Sequence, residues 1–181
     1  MTERIPESLR YPIGAMQRPQ VVTSAHRQEW LAGIAEAPAL LRDAVKGLSD
    51  EQLDTVYRPG GWTLRQVVHH VADSHVNAYI RFRWALTETR PLIKAYVQDA
   101  WAGLPDARTA PLESSLVMLE SLHVRWVFLL RSLSEDDFAR LVIHPENGPM
   151  SIDDLLATYA WHGRHHVAHI TSLRDRMGWA A

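Results

Sequence analysis

The chain has 181 residues, 46% hydrophobic and 22% charged, with 19 Lys and Arg against 21 Asp and Glu. That length buries the core of one domain without cross-links, and the charge balance gives no electrostatic reason for nucleic acid or an anionic membrane as partner. No cysteine is present, which excludes disulfides, thiolate metal sites, iron–sulfur clusters and a cysteine nucleophile; ten histidines crowd mostly into two short stretches, so a transition metal must meet imidazole and carboxylate.

Met1 to Arg10 carries both charge signs and lacks the apolar run of a signal peptide. No window reaches the roughly 18 consecutive apolar residues of a membrane span, and a soluble cytoplasmic protein is the expectation. Residues 1–22 should form an irregular arm, broken by Pro12, Gly14 and Pro19. A first helix is expected from Thr23 or Ser24 to Gly47, with Pro38 kinking or splitting it. Ser49 with Gln52 suggests a short helical turn, and Thr63 with Gln66 a capping box that opens a second helix to about Leu86. Thr87 to Leu112 is a long connection with three prolines, of the kind that often wraps a site.

A third helix should cover Glu113 to Leu133, its buried stripe formed by Leu119, Leu122, Trp126, Leu129, Leu130 and Leu133. Ser134 to Leu141 suits another short turn, and His144 to Pro149 is a turn cluster. Ser151 caps a fourth helix that stops at Gly178. No strand-like alternation of useful length is visible. The expected fold is therefore all-α, a single four-helix-bundle domain over 1–181 with a long crossover connection and short extra helical turns.

The fourth helix carries His162 and His166, and His165 and His169, each pair at i,i+4 spacing that can share a metal. On a helical wheel His166 falls inside the apolar arc, His162 at its edge and His165 well outside, so His162/His166 is the inward pair. The plainer alternative is polar positions on a half-exposed helix. Gly163 stands where an HExxH zinc protease needs its glutamate, which argues against that enzyme class.

On the second helix, His75 points to the apolar arc, where a lone histidine is more often a hydrogen-bonded core residue. His70 shares a stripe with Gln66, Asp73, Asn77 and Arg81, either a solvated surface or the wall of a polar cavity. His123 lies in the third helix's apolar arc, with a supporting or substrate-facing role open to it. His26 and His144 read as surface or capping residues.

The stretches RYPIG (10–14), GGWTLRQVVHHVADSHVNAYIRF (60–82), LHVRW (122–126), WHGRHHVAHI (161–170) and RMGW (176–179) resemble the DinB/YfiT-like superfamily, and within it the YfiT branch of metal-dependent hydrolases. The resemblance covers essentially the whole chain in order. It implies a four-helix bundle, a homodimer, and a divalent metal held by one histidine of the second helix and an HxxxH pair on the last. Carried onto this sequence, the ligands are His70, His162 and His166, the last two being the pair the wheel selects. Asp73 is then a candidate for orienting His70 or moving a proton, and Asn77, His75, His123 and His169 are candidate neighbours.

Three imidazoles leave open coordination, the catalytic rather than structural pattern. One divalent ion per subunit is expected, zinc first, with nickel or iron as alternatives. A metal-bound water would serve hydrolysis of a small-molecule substrate. The alternative is transfer of a low-molecular-weight thiol of the bacillithiol or mycothiol type, since the wider superfamily includes such S-transferases. A third reading is a non-enzymatic metal-binding dimer.

Overall fold

Side-chain caps determine where the long helices begin. Thr23 accepts from the His26 backbone amide while the His26 ring accepts from the amide of Thr23, and Thr63/Gln66 and Ser151/Asp154 form the same reciprocal box. Each such cap contributes about 1 kcal/mol. A computed structural model describes residues 5–179. In chain order its elements are α1 (Glu7–Arg10), α2 (Ser24–Val45), α3 (Asp50–Leu53), α4 (Leu64–Thr87), α5 (Gln98–Ala102), α6 (Pro105–Thr109), α7 (Leu112–Arg131) and α8 (Glu135–Phe138). Strands β1 (Leu141–His144) and β2 (Gly148–Ser151) follow, then α9 (Ile152–Met177).

The four long helices α2, α4, α7 and α9 form the bundle expected from the sequence. α2 packs on α9 and α7, and α4 packs on α7 and α9, so the order around the bundle is α2–α7–α4–α9. The steps α2 to α4 and α7 to α9 therefore cross the bundle diagonally, while the long connection 88–111 joins neighbours. That connection is anchored by backbone bonds of Ile93 and Pro91 to Ile143. α9 ends on Gly178 in the left-handed conformation, φ 65°, which favours glycine.

Four local expectations are corrected. The arm is not wholly irregular, because residues 7–10 close one helical turn. Pro38 does not split α2; Ile34, Ala37 and Leu41 are buried on both sides of it and hold one continuous helix. The chain also contains a hairpin, Leu141 opposite Ser151 through His144 opposite Gly148. Its strands have four residues each and the second holds Gly148 and Pro149, too short and irregular to show as alternation. On α7, Leu122 and Leu129 are only half-buried, as is Leu133 beyond its end at Arg131, and Leu116, His123 and Val127 complete the buried face instead.

The core is two apolar clusters. One gathers Trp30, Phe82, Trp126 and Leu155 near the hairpin; the other gathers Leu41, Val68, Leu119 and Ile170 at the opposite end. His75 on α4, His123 on α7 and the histidines of α9 stand between residues of the first cluster and residues of the second. A polar layer thus crosses an otherwise dry bundle, and burying it is tolerable only if every ring nitrogen finds a partner.

Candidate metal centre

α4 and α9 bring His70, His162 and His166 together, with one ring nitrogen from each lying within 4.8 Å of the others. His70 and His166 are buried, at 4% and 7% exposure. The Nε2 atoms of His70 and His162 are 3.2 Å apart. Two zinc–nitrogen bonds of ordinary length at a tetrahedral angle place their nitrogens roughly 3.3 Å apart, so the spacing fits a shared divalent ion. Gly163 makes this possible from behind: a Cβ there would meet the Ala37 Cβ at 3.0 Å, and its absence lets α9 lie close on α2 beside His162.

His162 and His166 are each backed by a chain of hydrogen bonds that ends on a backbone carbonyl. Behind His162, its Nδ1 meets His75 Nε2 at 3.1 Å, His75 Nδ1 meets His123 Nε2 at 2.8 Å, and His123 Nδ1 meets the Ile34 carbonyl at 2.7 Å. Behind His166, its Nδ1 meets His169 Nδ1 at 3.4 Å, and His169 Nε2 meets the Arg10 carbonyl at 3.1 Å. A carbonyl only accepts, and a neutral imidazole has one donor and one acceptor nitrogen. His123 must therefore donate from Nδ1 to Ile34 and accept at Nε2. His75 then donates from Nδ1 and accepts at Nε2, and His162 donates from Nδ1. The same logic makes His169 donate from Nε2 and His166 from Nδ1. Both chains leave the Nε2 lone pairs of His162 and His166 facing the centre.

Burial keeps these rings neutral. Desolvation, followed by the repulsion of neighbouring imidazoles, pushes His75, His162 and His166 well below the ordinary value of 6.5. His70 is lowered to about 4 by burial and by His165. Burial likewise lowers His123 and His169 to about 4. Neutral imidazole is the form that binds a metal.

Residues 33–170 match the family described as the DinB superfamily. A Bacillus cereus protein named "Putative metal-dependent hydrolase" is 53% identical over 171 residues, 94% of this chain and 98% of that one. The chain belongs to the DinB superfamily. A Bacillus mycoides relative of the same descriptive name is 51% identical over 173 residues, spanning 96% of this chain and 99% of its own length. Among solved structures, YfiT from Bacillus subtilis, described as "a probable metal-dependent hydrolase with an unusual four-helix bundle topology", superposes with a TM-score of 0.93. It is 46% identical and covers 96% of this chain and 99% of its own.

In this DinB superfamily chain the histidine cluster borders a cavity of about 610 Å³. Trp62 stands over the cluster, its ring 4.6 Å from that of His70 and its Nε1 donating to Asp99 at 2.9 Å. The wheel places His165 well outside the apolar arc, yet it is buried at 7% exposure, because Tyr11 of the arm and Trp161 pack on its ring. A wheel measures only the bundle-facing side and cannot register an arm laid over the other. His69 is held apart from the centre by Ser115 Oγ at 2.7 Å and the Ala110 carbonyl at 3.2 Å.

Asp73 and Asn77 fall elsewhere. Asn77 donates to the Asp73 backbone carbonyl, and neither side chain lines the cavity or bonds to His70. The Asp73 carboxyl is raised to about 6 by burial and by Asp106. Arg81 and Ser74 of the same helix do line the cavity, as do Tyr96 and Tyr159. Sequence reasoning gave Ser74, Trp62 and Tyr159 no role; Ser74 lies four residues beyond His70 and Tyr159 three before His162, and that helical spacing was the available signal. His26 and His144 cap, as expected: the His144 ring accepts from the amides of Glu146 and Asn147 in the hairpin turn.

Proposed function

We propose that this chain is a metal-dependent hydrolase holding one divalent ion, zinc first among the candidates, on His70, His162 and His166. The observation that carries this reading is the convergence of three neutral ring nitrogens, with His162 and His166 lining a cavity of small-molecule size. Among the described residues three potential protein ligands meet there, the pattern of catalytic sites that keep a position for water or substrate. A bound divalent ion supplies Lewis acidity and, for zinc, brings the pKa of its water to about 7.

The chain's own residues do the rest. His75 with His123, and His169 with the Arg10 carbonyl, fix the tautomers of His162 and His166, so that both ligands present Nε2 without rearrangement. Trp62 covers His70 and keeps bulk water off that side of the cluster. The names of the Bacillus relatives support the class of reaction.

The test is hydrolysis of small activated esters and amides by purified protein before chelation, after it, and after restoring zinc. Activity lost on chelation and regained with zinc is the expected result. Hydrolysis indifferent to chelation overturns the reading. So does conjugation of an electrophile to a biological thiol with no hydrolysis, which would assign the site to thiol transfer.

A further inference from the structure

Arg81 is 8% exposed, about as buried as Arg65 at 6%. Arg65 is neutralised by Asp54 at 2.7 Å and Asp50 at 2.8 Å, and Arg27 in the same way by Asp153 and Glu135. Among the described residues, Arg81 forms no ion pair with a carboxylate. Its two polar partners are neutral: Nη1 donates to the Tyr159 hydroxyl and Nη2 to the Lys94 carbonyl, each at 2.9 Å. A buried cation without a counter-charge is costly, and the structure retains one on the wall of the cavity beside the histidines.

The two bonds fix the guanidinium plane while engaging only two of its five N–H donors. The remaining donors have no partner among the described residues. The hydroxyl of Ser74 lies beside those of Tyr96 and Tyr159, adding neutral donors to the same wall. Arg10 and Arg58 at the cavity edge likewise form no ion pair among the described residues. The carboxylates on the wall do not answer this charge, because Asp99 holds Trp62 Nε1 and Glu146 sits exposed on the hairpin turn.

We infer that Arg81 is an anion-binding subsite of this cavity and that the substrate carries a carboxylate or phosphate group seated on it. The reacting bond would lie toward His162, whose ring centroid is 5.9 Å from that of Tyr159, so a single tyrosine separates the two ends of the site. Planar oxyanions suit the parallel N–H donors of a guanidinium. The inference rests on the hydrolase reading for the position of the reacting bond, while the anion subsite itself does not require the metal.

The experiment is calorimetric titration of the full chain after chelation, which removes direct coordination as a source of binding. The probes are glutarate, methyl phosphate and, as the neutral counterpart of the first, glutaramide. The expected result is that at least one anion binds wild type roughly tenfold tighter than Arg81→Gln, the effect of a charge-assisted hydrogen bond, with glutaramide binding neither. Which anion binds tells carboxylate from phosphate. Arg81→Lys, with the charge kept, should still prefer the anion over glutaramide.

Equal anion affinity in wild type and a folded Arg81→Gln overturns the inference. Wild type that binds neither anion, or binds glutarate and glutaramide alike, overturns it even where Arg81→Gln does not fold. Zinc retention by the same samples is a separate readout: anion binding without zinc binding sinks the metal reading alone, and zinc binding without anion binding sinks the subsite alone.

Discussion

The chain behind His162 ends on the Ile34 carbonyl inside α2, whereas the chain behind His166 ends on the Arg10 carbonyl in the N-terminal arm. The first runs through His75 and His123, at 0% and 3% exposure, with contacts of 2.7 to 3.1 Å. The second is looser, at 3.1 and 3.4 Å, and its terminal acceptor belongs to a segment with no buried residue of its own. One ligand is thus oriented by the bundle itself and the other by a strap laid over it. Metal affinity and fold stability should be coupled at the first chain and largely separable at the second.

Replacing His75 with Leu should have the largest effect. It strands the Nδ1–H of His162 and the Nε2 of His123 without partners, costing about 1–3 kcal/mol for each group left unsatisfied. Zinc affinity should fall by roughly 10- to 100-fold, the usual loss on removing a ligand's hydrogen-bond partner. Thermal unfolding of the chelated protein and competitive zinc titration measure the two terms, and a fall in affinity without a fall in melting temperature would break the proposed coupling.

His169→Leu should act mainly on the metal. Water can replace the lost partner more readily beneath the arm, so zinc affinity should drop by roughly tenfold, with a smaller change in melting temperature than His75→Leu produces. Equal destabilisation by the two substitutions would show that the arm is as integral as the core.

Acid should affect both chains. An imidazole whose folded pKa lies below 6.5 takes up its proton first in the unfolded chain, so stability present above about pH 6.5 is lost as pH falls toward 4. Denaturant titrations of the chelated protein from pH 7 to pH 4 should show a steadily lower midpoint, and a flat profile would mean the rings are not buried neutral.

The smallest effect belongs to Asp73→Asn. Its carboxyl is raised to about 6, so its contribution to stability falls as pH rises from about 3.8 through 6. The substitution should leave zinc retention unchanged and slightly raise stability at neutral pH. A loss of zinc would restore Asp73 to the centre.

Much of this was legible in the sequence. The long helices announced themselves through periodicity and through the Thr63/Gln66 and Ser151 caps. His162 and His166 stood out because i,i+4 spacing coincided with the apolar arc, and His70 came from resemblance, since the wheel could not separate its stripe from a solvated face. The supporting partners were harder to find. His75, His123 and Ile34 lie on three helices, and only tertiary packing shows that their rings form one chain. Asp73 looked suitable because it is one turn from His70, yet its side chain stands outside the cavity, and the orienting chains of imidazoles and carbonyls stand behind His162 and His166 instead. Arg81 stands on the stripe that the sequence left open between a solvated face and a cavity wall, and both its place on the wall and its lack of a carboxylate partner are facts of three dimensions. His165 and the hairpin were missed because an arm and two four-residue strands leave no periodic trace.

The central claim is the three-histidine centre. Its most direct test is metal stoichiometry, measured by elemental analysis after saturation with zinc and removal of the excess. Wild type should hold one ion per chain, and His70→Ala and His166→Ala should each lose it under the same wash. Full occupancy retained in both variants would contradict the account.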